Sequence, residues 1–240
     1  LEFRRVLFRS KLETVEGEGY EGGWAGNQRE GMGVYSKDGM KIKGKWAGDR
    51  VEGKVEIEFV SGDKYSGILV DNKMAGEGTY TFTNGDVYTG HFEKGEIHGE
   101  GKVMYKNGDE YVGSFRQGKI WGHGLFKCKK YTYSGEWQDG KKHGEGTQTY
   151  TNGDLYVGEW SRGLRHGYGE YTYAQGDIFK GQWKEGMREG PGVYYFQGGN
   201  RFEGEYRADK KEGKGMLFFG TGDNMMGVWE NDELKERIEG

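Results

Sequence analysis

The chain has 240 residues with 48 glycines and one proline, and its 39 acidic and 35 basic residues leave a net charge of −4. Because the charges are interspersed, no basic surface of the kind that binds nucleic acid is expected. The single cysteine, Cys128, excludes an internal disulfide and a zinc–cysteine cluster, and no apolar run reaches membrane-spanning length.

The opening stretch, LEFRRVLFRS, is rich in arginine and fits no repeat. A targeting segment is one interpretation, but we favour an expression or sequence-assembly remnant and leave residues 1–10 out of the fold. Residues 1–19 are predicted to form an N-terminal tail. Gly17, Gly19 and Gly22 spell G-x-G-x-x-G there, but the strand and helix that a nucleotide-binding loop requires are not predicted around them. We interpret these glycines as structural.

From residue 20 onward a pentapeptide of the form aromatic-x-Gly-x-aromatic returns every 22 or 23 residues. Examples are Y-E-G-G-W at Tyr20, Y-T-G-H-F at Tyr88 and Y-V-G-E-W at Tyr156. The copies begin at positions 20, 42, 65, 88, 111, 133, 156, 179, 202 and 225. The regular spacing predicts a repeat protein that occupies residues 20–229, with an incomplete last copy.

A second signature, G-x-G, follows each start by eleven residues, as in Gly76 and Gly78. Apolar and polar residues alternate in both segments, which predicts two antiparallel strands, and Asn-Gly at Asn84, Asn107 and Asn152 predicts a tight turn with positive φ angles. An inward glycine lets a neighbouring ring lie flat over the backbone. We therefore predict an all-β fold, an elongated single-layer antiparallel sheet of stacked β-hairpins.

The last residues, 230–240, are predicted to form a capping tail. Leu234 and Ile238 lie four residues apart among charged residues, which predicts a short amphipathic helix from Asn231 onward. Such a helix would cover the exposed edge of the last hairpin.

The repeat closely resembles the MORN repeat, whose name abbreviates membrane occupation and recognition nexus. Val55 replaces the second G-x-G glycine, Leu69 replaces an aromatic, and Lys127–Cys128–Lys129–Lys130 replaces N-G-D, so irregular stacking is expected there. The resemblance implies a gutter-shaped sheet without catalytic activity or cofactor, which holds other proteins or forms a homodimer. Chains made almost only of such repeats resemble radial spoke head and other ciliary components, which implies axonemal or cytoskeletal protein partners and a cytoplasmic, cytoskeletal location.

The face that carries alternating rings and glycines is predicted to be a groove that binds partner proteins, because aromatic residues are enriched at interface centres. The alternative for any single ring is that it forms the core, since a one-layer sheet has little else to bury. The predicted groove residues are Tyr88, Phe92, Tyr111, Phe115, Tyr133, Trp137, Tyr156, Trp160, Phe179 and Trp183.

A competing hypothesis is a peripheral membrane module that binds anionic phospholipid. It would use basic residues that recur in the loops before G-x-G. These are Lys141, Lys142, Arg162, Arg165, Arg188, Lys210 and Lys211. Acidic neighbours weaken this hypothesis.

Catalytic and metal sites are not predicted. His98, His143 and His166 hold the same place in their repeats, but equivalent atoms should lie about 9.6 Å apart, too far for shared zinc ligation at about 2.1 Å. One turn aspartate recurs in most repeats with the same separation, which favours turn stabilisation. These are Asp63, Asp86, Asp109, Asp154, Asp177 and Asp223. Cys128 has lysine neighbours but no predicted base, so we predict a non-catalytic scaffold.

Overall fold

The computed structural model of the chain describes residues 8–13 and 17–239, and every regular element in these ranges is a β-strand. The chain divides into two compact units, Leu1–Lys119 and Ile120–Gly240. The all-β class and the succession of antiparallel hairpins are confirmed.

The first unit is a sheet in which each strand pairs antiparallel with the next one along the chain. Its strands are β1 (Phe8–Glu13), β2 (Gly19–Ala25), β3 (Gln28–Lys37), β4 (Met40–Ala47), β5 (Arg50–Glu58), β6 (Lys64–Val70), β7 (Lys73–Thr81), β8 (Val87–Glu93), β9 (Glu96–Met104) and β10 (Glu110–Arg116).

The second unit has the same organisation, and β11 begins at the boundary between the units. Its strands are β11 (Lys119–Lys127), β12 (Tyr131–Gln138), β13 (Lys141–Tyr150), β14 (Leu155–Ser161), β15 (Leu164–Thr172), β16 (Ile178–Lys184), β17 (Met187–Tyr195), β18 (Arg201–Arg207), β19 (Lys210–Phe218), β20 (Asn224–Glu230) and β21 (Glu233–Ile238).

The strand register places glycines opposite one another. In the second unit Gly158 of β14 pairs with Gly169 of β15 on one side and with Gly146 of β13 on the other. The first glycine of G-x-G has a different use: Gly99 lies where the register of β8 and β9 shifts, and its φ is +67°. A bulge with positive φ favours glycine, so the two glycines of the motif serve two separate needs.

The tight two-residue turns were predicted at the N-G-D segments, but they lie at the opposite end of each hairpin. Lys94 and Gly95, between β8 and β9, have φ values of +53° and +94°, as a two-residue turn with positive φ requires. At the N-G-D turn only Gly85 has positive φ, +93°, and its N–H donates to the Phe82 carbonyl. Asn84 instead accepts the N–H of Asp86 through its side chain. The prediction of positive φ at Asn84, Asn107 and Asn152 was therefore wrong.

The irregular second repeat still pairs in register. Val55 is 2% exposed, and its Cγ1 lies 3.1 Å from where a Cβ on Gly44 would stand. In most other repeats a tyrosine or phenylalanine ring covers the paired glycines, whereas here the first position is Ile42. Val55 thus fills space that the missing ring leaves, together with Val51, whose Cγ2 lies 2.7 Å from the same Cβ position.

The fifth repeat closes with a shorter turn. Without N-G-D, the N–H of Cys128 donates to the Tyr131 carbonyl at 3.0 Å, and β11 and β12 continue in register. The irregular stacking expected at these two repeats does not interrupt strand pairing.

The C-terminal helix prediction was wrong, since β21 (Glu233–Ile238) is a strand paired with β20. A spacing of four fits one face of a helix and also one face of a regular strand, so the spacing of Leu234 and Ile238 could not separate the two. Leu234 packs directly over Gly227. At the other end of the chain, β1 pairs with β2 from Phe8 onward, so the last residues of the segment left out of the fold belong to a strand.

Candidate functional site

The ten predicted groove residues lie in the buried core of their units. Their exposed fractions run from 0% for Tyr88 to 8% for Trp137. We call these side chains, with the equivalent aromatic residues of the other pentapeptides, the inner rings. The predicted residues among them are Tyr88, Phe92, Tyr111, Phe115, Tyr133, Trp137, Tyr156, Trp160, Phe179 and Trp183. Little of their surface is available to a partner.

The inner rings pack edge to face along the sheet. Tyr156 contacts Trp160 of its own repeat at a centroid distance of 5.1 Å and Trp183 of the next repeat at 5.4 Å, with interplanar angles of 87° and 85°. This arrangement is the favoured one for aromatic pairs. Each ring therefore joins its own hairpin to the next.

The polar atoms of the inner rings bond to the backbone beneath them. The Tyr88 hydroxyl donates to the His91 carbonyl at 2.8 Å, and Trp183 Nε1 donates to the Gly169 carbonyl at 3.2 Å. Among the described residues, three such atoms are buried without a partner: Trp24 Nε1, Tyr206 Oη and Trp229 Nε1. Hydrogen bonds of this kind orient the rings as core side chains.

In the part of the chain that the structure describes, we find five cations that each lie over three aromatic rings. In the clearest case the Arg165 guanidinium is 4.1 Å from the centroid of Trp183, 5.2 Å from Tyr171 and 5.8 Å from Tyr156. Such distances are typical of cation–π interactions. We call these residues the caged cations. They are Arg29, Lys142, Arg165, Arg188 and Lys211.

Lys142 is the most buried of the caged cations, at 9% exposure. Its ammonium group lies 4.0 Å from the centroid of Tyr131 and donates a hydrogen bond to Gln148 Oε1. Burial lowers the pKa of Lys142 to about 8, against a smaller raising effect of Cys128. Burial also lowers the pKa of Lys211.

The caged cations change the interpretation of the predicted basic stripe. Four of its seven members, Lys142, Arg165, Arg188 and Lys211, point into aromatic cages rather than outward. Lys141, Arg162 and Lys210 are exposed. Sequence reasoning missed the cages, although one position carries the signal. Nine residues after each start, five repeats have a cation and the others have an aliphatic residue, as at Val51, Met74 and Ile97.

A second set of aromatic side chains is half-buried and faces the same side of each sheet as the inner rings. It follows the G-x-G segment, and each member lies near a turn. Tyr173 contacts Tyr171 at 4.6 Å and Tyr194 at 5.8 Å, so these rings also link neighbouring hairpins. We call this set the outer rings. They are Phe59, Phe82 and Tyr105 in the first unit and Tyr150, Tyr173, Phe196 and Phe219 in the second. The alternation of Tyr80 and Phe82 was the sequence signal for them.

The turn aspartates connect successive repeats. Asp177 accepts the Tyr194 hydroxyl at 2.7 Å and the backbone N–H of Gln197 at 2.9 Å, both from the following hairpin. Asp63 makes the same pair of contacts with Tyr80 and Thr83, and hydrogen bonds, chiefly from the Thr83 N–H, lower its pKa. These aspartates therefore connect successive hairpins in addition to stabilising their own turns.

The remaining candidate groups are dispersed. His98 lies 3.7 Å from Glu93, and the Cys128 thiol donates to the Tyr131 carbonyl at 3.4 Å. Across residues 8–13 and 17–239, no group of three His, Cys, Asp or Glu side chains is placed to hold a metal ion. The same part of the chain contains no helix long and apolar enough to cross a membrane.

Successive antiparallel hairpins with facing glycines under a layer of rings define the chain as a β-hairpin repeat protein. The sequence model of the MORN repeat matches residues 20–41, 65–87, 88–110, 111–132, 133–155, 156–178, 179–201 and 202–224. The chain therefore belongs to the MORN repeat family.

A comparison with curated proteins gave no match. Among solved structures, the TCP domain of SAS-4 from Drosophila melanogaster, in complex with a proline-rich motif of Ana2, has 12% identity and a TM-score of 0.41, covering 73% of this chain and 90% of that one. A streptogramin B lyase has 8% identity and a TM-score of 0.16, covering 92% of this chain and 83% of that one. Such low similarity carries no argument about this chain.

Proposed function

We propose that this chain is a non-catalytic scaffold that binds partner proteins through the aromatic face of its sheets, with the outer rings as the contact surface. The observation that carries this proposal is the division of the rings into two sets. Inner rings such as Tyr156 are 0% exposed, whereas outer rings such as Tyr173 are half-buried. Half-buried tyrosine and phenylalanine in a row offer apolar area without a further cost of ordering them.

A partner seated on this face would cross several repeats. The outer rings of the second unit recur once per hairpin, so an extended segment or a helix could contact Tyr150, Tyr173 and Phe196 in turn. The edge strand β21 pairs with β20 alone among the described residues, and its other side offers a second docking point. A second copy of the chain that docks on either surface would form a homodimer.

The caged cations favour protein over lipid as the partner. A basic stripe binds anionic headgroups only if its charges reach the membrane surface, and four of the seven candidate residues here are directed into ring cages. Membership in the MORN family suggests protein or membrane binding. By analogy with chains made almost only of such repeats, we place the partners in a ciliary axoneme, in assemblies like the radial spoke head, or elsewhere in the cytoskeleton.

The test is affinity capture from isolated axonemes with wild-type chain and a Y150A/Y173A/F196A variant. Its matched control is L125A/V157A/M226A, which truncates side chains that are 44%, 44% and 40% exposed elsewhere on the same unit. We expect axonemal proteins to be retained by wild type and control and lost by the outer-ring variant, with both variants folded by circular dichroism. Equal retention by both variants would refute the contact surface.

The lipid alternative is tested by co-sedimentation with phosphatidylserine vesicles at physiological salt. We expect no binding of the wild-type chain. Binding that is lost in K141E/R162E/K210E would favour the membrane module instead, since these are the exposed members of the stripe.

A further inference from the structure

The first unit contains an apolar cavity of about 490 Å³ on its aromatic face, where the second and third repeats meet. Its lining includes Trp46, Ile57, Leu69 and Met74. The second repeat, at residues 42–64, is also the one segment between residues 20 and 224 that the family's sequence model does not match. The cavity is thus a property of this chain rather than of the repeat in general.

The cavity arises because a ring cage has been replaced by aliphatic side chains. In the seventh repeat the cage consists of Tyr156, Tyr171 and Trp183 around Arg165. The corresponding positions of the second repeat are Ile42, Ile57 and Leu69 around Val51, and all four line the cavity. The smaller groups leave open the volume that the rings and guanidinium occupy elsewhere.

The cavity floor is apolar and its rim is cationic. Ile42, Leu69 and Met74 are half-buried, so their remaining surface faces the opening. Arg50 and Lys73 line the rim and are exposed. Among the described residues, neither of their side chains makes a hydrogen bond or an ion pair.

The one acidic lining residue does not neutralise that rim. Asp49 Oδ1 accepts the backbone N–H of Arg29 at 2.8 Å and its Nε at 3.1 Å, and these contacts, the backbone hydrogen bond first, lower the pKa of Asp49. Asp49 is therefore an anion already paired with Arg29. Among the side chains that the structure describes, Arg50 and Lys73 therefore keep two positive charges without an ion-pair partner.

We propose that this cavity binds a partner peptide that inserts two or three aliphatic side chains and carries acidic residues beside them. This inference rests on the proposed protein-binding function and names the chemistry of one partner segment. A volume of about 490 Å³ suits a few aliphatic side chains. Acidic flanks would meet Arg50 and Lys73, and charge complementarity of this kind sets specificity and association rate.

A small polar ligand fits the cavity less well. Small-molecule sites place a few polar groups inside an apolar pocket to fix the ligand's orientation, whereas the least exposed charged group here, Arg29, is already engaged by Asp49 and the Trp46 ring. An inserted peptide is oriented by its own backbone along the sheet, so it needs no polar group on the cavity floor.

The first experiment uses the apolar anion 8-anilinonaphthalene-1-sulfonate as a probe of the site. The Leu69→Trp substitution restores the aromatic residue that this position has in the other repeats and should fill the cavity, so it is expected to keep or raise the melting temperature. Leu164→Trp, at a position 49% exposed in the second unit, is the matched control. We expect probe fluorescence with wild type and L164W and at least about a tenfold weaker affinity with L69W.

A second filling variant, Ile42→Tyr/Val55→Gly/Leu69→Trp, restores the two pentapeptide rings and the missing G-x-G glycine, and it keeps the test decisive if L69W alone fails to fold. Unchanged probe binding by a folded filling variant would overturn the site.

The second experiment selects a random dodecapeptide display library on the wild-type chain. We expect enriched peptides to combine aliphatic residues with Asp or Glu, to lose binding on L69W, and to bind R50E/K73E about tenfold more weakly. The variant K127E/K184E changes charge equally at exposed positions of the second unit and should bind as wild type.

The proposal would be overturned if no peptides are enriched, or if the enriched peptides lack acidic residues. It would also be overturned if phosphatidylserine vesicles displace the probe and none of the peptides does. The Y150A/Y173A/F196A variant separates this inference from the proposed function. It leaves the cavity intact and should still bind the selected peptides.

Discussion

The hydroxyl of Tyr171 donates a hydrogen bond to Asp154 Oδ2 at 2.6 Å, from one hairpin to the turn of the preceding one. The other oxygen, Oδ1, accepts the backbone N–H of Ala174 at 2.8 Å. Asp154 therefore holds the next hairpin at two points, one on a side chain and one on the backbone.

Removing the hydroxyl should weaken this join between repeats. We expect Tyr171→Phe to lower the free energy of unfolding by about 1 to 2 kcal/mol, because hydrogen bonds to a charged acceptor exceed neutral ones. Tyr195→Phe is the control, since Tyr195 is 40% exposed. Equal destabilisation in urea unfolding would contradict a role for the Asp154 contact.

The same contact sets a dependence on acid. Burial alone would raise the pKa of Asp154, but hydrogen bonds from Tyr171, Asn152 and Ala174 together outweigh it and lower the pKa. The unfolded chain then takes up the proton first, so this stabilisation is present above about pH 4 and is lost as the pH falls through the folded pKa. In acid titration followed by circular dichroism, Y171F should lose less stability than wild type below pH 4.

Lys142 and Gln148 form a buried polar pair at positions that are apolar in the fourth repeat, where Ile97 and Val103 take their places. We expect Lys142→Met alone to be destabilising by about 1 to 3 kcal/mol, because Gln148 loses its hydrogen-bond donor. The double variant K142M/Q148V should recover most of that loss. A double-mutant cycle in urea measures the coupling, and simple additivity of the two changes would refute the pairing.

Lys142 should also give the chain a distinct alkaline response. Its folded pKa of about 8 lies below the unfolded value, so the unfolded chain binds more protons between about pH 8 and pH 10. The wild-type chain should therefore gain stability relative to K142M as the pH rises through this window. Shared groups, such as the buried tyrosines, cancel in the difference between the two proteins. If the difference in unfolding free energy between the two proteins stays constant from pH 7 to pH 10, the folded pKa of Lys142 is not lowered. The lysine would then not be buried in its cage.

The pairing of glycines across strands follows from strand register and was not predicted. The period and the strand alternation could be predicted because both depend on local pattern alone. The turn geometry could not, since Asn-Gly is compatible with two turn types and the choice depends on strand register. The C-terminal helix predicted from Leu234 and Ile238 was wrong for a similar reason, because a spacing of four fits one face of a helix and one face of a regular strand.

The site was harder to predict than the fold. Sequence alternation correctly put the rings on one face, but it could not tell buried Tyr156 from half-buried Tyr173, because burial depends on packing between repeats. The hypothesis of a basic stripe placed Lys142, Arg165, Arg188 and Lys211 at the surface, which is the usual location of lysine and arginine. The choice between a cation and an aliphatic residue nine positions after each start marks these sites, but only the three-dimensional neighbours of Lys142 show that rings surround it.

A glycine that is covered by an inner ring should not tolerate a side chain. A Cβ on Gly101 would stand 2.5 Å from Cε2 of the Tyr88 ring, and no positive φ complicates the comparison at this position. We expect Gly101→Ala to cost about 1 to 3 kcal/mol through overpacking. Gly198→Ala should be close to neutral, because nothing lies within 4 Å of its Cβ position.

The second repeat suggests how such a clash is relieved. There Val55 replaces the glycine and Ile42 replaces the ring, and Val55 is 2% exposed in a sheet that keeps its register. We therefore expect Tyr88→Ile/Gly101→Val to be more stable than Gly101→Val alone, because removing the ring makes room for the valine. Thermal unfolding of the two variants measures this rescue. If the double variant is instead the less stable of the two, Val55 is not filling the space of a missing ring, and the origin assigned to the cavity beside it is wrong.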